Sequence, residues 1–78
     1  MTHICAVPHC GEPVVHGHLM CRAHWRRVPN DVRADLAAAE RAWRAAASTL
    51  ARREALAVLR IAQAAAVDAV VAGRETQP

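Results

Sequence analysis

The chain contains no lysine, no phenylalanine and no tyrosine, and its ten basic side chains are all arginine. Without Phe or Tyr, the rings on which single-stranded bases usually stack are reduced to Trp25 and Trp43. Three cysteines cannot all pair within one chain, and the opening MTHICAVPHC has neither the basic nor the apolar segment of a secretory leader. A reducing, cytoplasmic setting is expected, in which clustered cysteine and histidine more often bind metal than form a bridge. No apolar run approaches the roughly 18 to 20 residues needed to cross a bilayer, because Arg41, Arg44, Arg52, Arg53 and Arg60 interrupt the alanine-rich half. A membrane is therefore not an expected partner. Residues 31–72 lack both glycine and proline, which removes the usual helix breakers from that stretch.

What is present divides accordingly. Residues 1–28 hold all the cysteines, the histidines and two of the three glycines, the vocabulary of loops and ligands. Residues 29–73 form an alanine-rich region dominated by Ala, Leu, Arg and Glu, the vocabulary of helix. Pro29 disfavours helix at Val28, Asn30 is a suitable cap, Asp31 complements the positive helix start, and Gly73 ends the run. Residues 74–78 read as a flexible tail. At 78 residues the whole is a single domain, small enough that some staple is expected to supplement its core.

Two arrangements of the helical region fit its composition. Val32, Leu36, Ala39, Trp43, Ala46 and Leu50 recur at spacings of three and four, which places them on one helical face. Beyond Arg53 and Glu54, a new stripe of Leu56, Leu59, Ala66, Val67 and Val70 lies on roughly the opposite side of the same cylinder. One continuous helix would present its halves to opposite partners. A break between positions 47 and 52, with Ser48 or Thr49 as cap, folds both stripes against each other in an antiparallel hairpin, which is the favoured arrangement.

The stretch CAVPHCGEPVVHGHLMCRAHW, residues 5–25, carries the chemistry. Cys5 and Cys10 are separated by four residues and followed by Gly11; Cys21 and His24 are separated by two. Zn2+ takes four tetrahedral N or S ligands, and short loops bring the second member of each pair close to the first. Pro13, Val14 and Val15 face Leu19 and Met20 across His16-Gly17-His18, which predicts a small β-hairpin with Gly17 at its tip. Cys21 and His24 then fall on one face of a short helix. The predicted fold is a small zinc-stabilised α+β domain, mostly α. Its zinc knuckle, β-hairpin and short helix precede the helical hairpin or single long helix.

This order resembles small, largely uncharacterised phage and prophage proteins of treble-clef or zinc-ribbon type, with the signature Cys-x4-Cys-Gly followed by Cys-x2-His-Trp. The matching residues are Cys5, Cys10, Gly11, Cys21, His24, Trp25, Arg26, Val28 and Pro29, within the first 30 positions. Where such proteins carry a Gly- or Pro-containing loop in the helical half, this chain has AASTLARR. The resemblance implies one structural zinc, a viral or prophage origin and the cytoplasm of a host cell, and it brings no catalytic residue.

Cys5, Cys10, Cys21 and His24 are the candidate metal ligands, with His9 as a competing or supporting ligand beside Cys10. His3, His16 and His18 have no spaced partner and read as solvated or supporting groups. A Cys3His set is closed, with no position for water or a small-molecule substrate, so catalysis is not expected. Asp31 and Asp35 lie past Pro29, off the first helix, and no His-Asn-His arrangement accompanies His16 and His18. Two kinds of partner remain. Arg22, Arg26, Arg27 and Arg33 cluster around the ligand histidine and suit phosphate contacts on DNA, although a net charge of +3 is only a weak basic bias. Val58, Leu59 and Ile61 form a surplus apolar surface on the later helix, which suits a host or phage protein or a homo-oligomer.

Overall fold

The computed structural model of the chain describes residues 3–15 and 17–73. The reading of His16 and that of a flexible tail at 74–78 fall outside these described residues. Two strands come first, β1 at His3–Ile4 and β2 at Pro13–Val14. Three helices follow: α1 at Arg22–Trp25, α2 at Asn30–Ala45 and α3 at Thr49–Val71. The protein is small and mostly helical, with the predicted two-stranded antiparallel element at its start and the predicted helical hairpin at its end.

The strands pair differently from the predicted hairpin. His3 stands opposite Val14 and Ile4 opposite Pro13, so the partner of β2 precedes the first cysteine. The turn around Gly17 does form, with φ +94° at the glycine and the His18 N–H donating to the Val15 carbonyl at 3.0 Å. Leu19 and Met20 nevertheless do not become its second strand. The Leu19 carbonyl accepts from the Ala6 N–H at 3.1 Å, and the Glu12 carbonyl accepts from the Cys5 N–H at 2.8 Å. The knuckle thus takes the backbone groups that a local hairpin would have used.

α2 starts one step earlier than the sequence suggests. Pro29, at φ −60° and ψ 151°, is the capping residue and Asn30 already helical, with no side-chain hydrogen bond at this end. A proline's fixed φ supplies the entry geometry without a polar cap. Val32, Leu36 and Ala39 are buried along one face and Trp43 is half-buried. The same stripe does not continue to Leu50, which is 65 % exposed in α3.

Ala46, at φ −65° and ψ 125°, ends α2, and Ser48, at φ −115° and ψ 161°, starts α3. Both conformations are open to any L-residue, so the chain reverses without glycine or proline. The Ser48 hydroxyl accepts from the Ala51 N–H at 3.0 Å, closing the new helix in the predicted manner. Leu59, Ala66 and Val70 then return to α2, with Leu56, Ala62 and Val67 partly buried around them.

A single cluster joins Cys5, Val7, Met20 and Val28 to Val32, Leu36, Ala39, Leu59, Ala66 and Val70. The ligand-bearing segment and the helix pair therefore share one core. The molecule spans 38 × 35 × 15 Å. The ligand-bearing segment extends the helix pair sideways and leaves a broad helical face uncovered. No helix is long and apolar enough to cross a membrane.

Candidate metal centre

Residues 7–10 make the first half of the site. The Cys10 N–H donates to the Val7 carbonyl at 3.2 Å, closing a four-residue turn with Pro8 at its second position. His9 follows at φ +67°, a left-handed conformation that histidine adopts more readily than most residues. Gly11 continues at φ +71°, a backbone state that favours glycine. Together these residues turn the chain so that Cys5 and Cys10 face the same point.

The second half is a helix start. Cys21 caps α1 in an extended conformation, and its carbonyl accepts from the Trp25 N–H at 2.9 Å. The three-residue offset places its sulfur beside the His24 ring. Cys21 Sγ lies 3.3 Å from His24 Nδ1, and Cys5 Sγ lies 3.4 Å from the same nitrogen. Cys10 Sγ is 3.9 Å from Cys21 Sγ. All four donor atoms lie within 4.8 Å of one another.

These separations can be set against a tetrahedron. Bonds of about 2.3 Å to sulfur and 2.0–2.1 Å to nitrogen hold neighbouring ligand atoms roughly 3.5–3.8 Å apart. The three closest approaches scatter around those edges. Hydrogen bonds between thiols and an imidazole account for individual pairs, but not for the convergence of four donors from two chain segments. Cys5, Cys10, Cys21 and His24 therefore form a plausible metal site whose donor set matches a soft or borderline cation.

The backbone is arranged for thiolate. Burial, the largest single influence on Cys5, pushes its thiol up, but the N–H groups of Cys21 and Val7 and the side chains of His24 and Cys10 outweigh it. The thiol consequently falls from 9.0 to about 7. At Cys10 the Glu12 N–H lowers the thiol, while burial and the neighbouring Cys5 and Cys21 sulfurs raise it, and the net direction is upward. One sulfur is thus readied for ionisation, and a cation would be needed to hold the crowded thiolates together. The N–H donors of Val7 and Glu12 each lie two residues beyond a knuckle cysteine. That offset is the sequence signal by which these supporting groups, absent from the sequence reading, are recognised.

The other candidates separate clearly. His9 is exposed and stands outside the four-donor cluster; its backbone supplies the left-handed turn. His3 and His18 are exposed. Arg22, Arg26 and Arg27 are exposed on and just after α1, as a surface patch requires. Arg33 departs from that patch: it is half-buried, donates from Nη2 to the Trp25 carbonyl at 2.6 Å and stacks over the Trp25 ring at 5.2 Å. The ring and carbonyl hold its guanidinium inward instead of toward a phosphate, with Nε buried and without a hydrogen-bond partner. Leu59 also leaves its predicted surface role, because it is buried against α2, whereas Val58 and Ile61 are 55 % and 70 % exposed. Val58 and Ile61, three residues apart, share one helical face, and Leu59 between them points away from it.

Comparison of the chain with protein-family models, with curated proteins and with solved structures finds no match.

Proposed function

We propose that the chain is a zinc-stabilised binding module without catalytic activity, whose metal site orders a short arginine-bearing helix for contact with nucleic acid phosphates. The observation that carries the zinc assignment is the convergence of three sulfurs and one imidazole nitrogen within 4.8 Å. Three thiolates and an imidazole suit Zn2+ and discriminate against Mg2+ and Ca2+, which take oxygen ligands. Four protein ligands complete a tetrahedron, leaving no position for an activated water. The ion's contribution is then to folding, on the order of 10 kcal/mol for a structural site.

The nucleic-acid reading rests on Arg22 and Arg26, exposed on either side of the ligand His24. Charge attraction to phosphates is independent of sequence and weakens as salt competes. This supports a contact to the duplex backbone more than a reading of bases. The resemblance to phage zinc modules is compatible with such a role inside a host cell. A second reading, a protein-interaction module, is favoured by the exposed Val58 and Ile61 on the uncovered face of the helix pair.

Native mass spectrometry with and without chelator tests the first part, with one zinc per chain expected. A metal-free protein that is nevertheless fully folded overturns it. For the second part, anisotropy of a labelled DNA duplex is measured at about 50 and 200 mM salt. Steep weakening with salt, and further weakening in Arg22→Ala/Arg26→Ala, are expected. Binding that ignores both overturns the phosphate contact.

A further inference from the structure

The second reading can be given a partner chemistry. On the uncovered side of the helix pair, α2 and α3 frame an apolar groove of about 440 Å³. Val32, Ala39, Val58, Ile61 and Ala65 line it, and Asp35 is the one charged residue of its lining. Among the described residues only α2 and α3 line it, and its side is open to solvent. Ile61 is 70 % exposed and Val58 55 % exposed, whereas their helix neighbours Leu59 and Ala66 are buried.

The charged residues that line the groove or lie along the lining face of α3 are acidic. Glu54 lies one turn before Val58 on the same helical face, and Asp68 lies two turns beyond Ile61. Both are exposed, as is Asp35. None of the described arginines lines the groove. A second copy of this chain packed face to face would bring the same carboxylates together without an arginine from that face to oppose them. A helix with apolar side chains along one face and arginine or lysine along its flanks would meet apolar with apolar and acid with base.

We propose that the α2–α3 groove is a docking site for a basic amphipathic helix of another protein, an inference that rests on the protein-interaction reading. Such a helix would complete a three-helix layer with the existing pair. It would lie on the side of the hairpin away from the ligand-bearing segment, because that segment packs toward Leu36 and Glu40 on the other flank of α2. The groove and the arginine patch are then separate surfaces.

The test uses the zinc-loaded full chain and three labelled helical peptides. One has leucines along one face and arginines on both flanks, the second has glutamates at the flank positions, and the third keeps the arginines but has alanines for leucines. Binding is followed by anisotropy, and self-association of the protein alone by sedimentation. The leucine–arginine peptide is expected to bind at least about tenfold more tightly than either control, a difference that shrinks with added salt. Ile61→Glu is expected to abolish this preference, and Asp35→Asn to weaken binding a few-fold. Both positions are solvent-exposed, and circular dichroism with zinc content verifies that the variants fold. Arg22→Ala/Arg26→Ala is expected to bind the peptide unchanged. Equal binding of the arginine and glutamate peptides overturns the basic-helix assignment. A protein that dimerises, ignores all three peptides and becomes monomeric in Ile61→Glu also overturns it, while leaving the interaction reading standing. A monomer that binds no peptide and is indifferent to Ile61→Glu overturns both.

Discussion

Between residues 3 and 28 each strand has two residues and the helix four, whereas α2 and α3 run for 16 and 23. Elements as short as the first set cannot supply their own order, because helix nucleation is costly and an isolated two-stranded hairpin is marginal. Their donors converge on one point instead of on a wide apolar surface. The helix pair buries Val32, Leu36, Ala39, Leu59, Ala66 and Val70 in a continuous stripe. The comparison teaches that one half converges four candidate ligand atoms on a point and adds only a few buried residues to the shared core, whereas the other spreads its burial along two helices.

The sharpest way to break this contrast is to remove the metal. Strong chelation, or Cys21→Ala, is expected to abolish amide-exchange protection before position 29 while leaving much of the far-ultraviolet helical signal. Loss of both signals together would show that the halves stand or fall as one. The same effect is expected from acid. Cys5 has its thiol lowered from 9.0 to about 7, so its contribution to the folded site is full above pH 9 and lost as the pH falls through about 7. A bound cation holds coordinating thiols ionised, so zinc release should set in only below that window, and a site that keeps its zinc in strong acid would contradict the assignment of Cys5 as a thiolate ligand.

Within the helix pair the expected effects are smaller. Leu59→Ala removes a buried side chain and should cost about 2–4 kcal/mol in urea unfolding of the zinc-loaded protein. Leu50→Ala, at a position 65 % exposed, should cost less than about 0.5 kcal/mol; similar values for the two would contradict the direction in which α3 faces. Ser48→Ala removes the hydrogen bond to the Ala51 N–H and should cost about 1 kcal/mol, read in the same assay. No change would mean that the stripe reversal alone fixes the hairpin.

The smallest effect sharpens the ligand set. His9→Gly relieves a left-handed residue, which for non-glycine residues costs about 1–2 kcal/mol before the greater freedom of unfolded glycine is counted. Zinc stoichiometry should be unchanged and stability equal or slightly higher. Loss of zinc in this variant would restore His9 to the ligand set.

Much of this was legible because the signals are local. Cys21 and His24 are brought together by the period of a single helical turn, and Cys5 and Cys10 by a turn built on Pro8. The helix break was legible from the displaced apolar stripe and from Ser48, although AASTLARR contains neither glycine nor proline, because ordinary dihedrals at Ala46 and Ser48 suffice. Less legible were the partner of β2 and the fate of Arg33.

By itself, the sequence determined that a Cys/His donor cluster precedes a long helical region, and it favoured a break in that region between positions 47 and 52, since each signal depends on residues a few positions away. Only the tertiary structure decided that β1 and not Leu19–Met20 pairs with β2, because the competing carbonyls of Glu12 and Leu19 are claimed by Cys5 and Ala6 across the knuckle. It alone drew Arg33 over Trp25, eight residues away. It also kept Leu59 in its inward stripe while leaving Val58 and Ile61 outside, since a helix with apolar residues on several sides becomes one-sided only when a neighbour covers one of them.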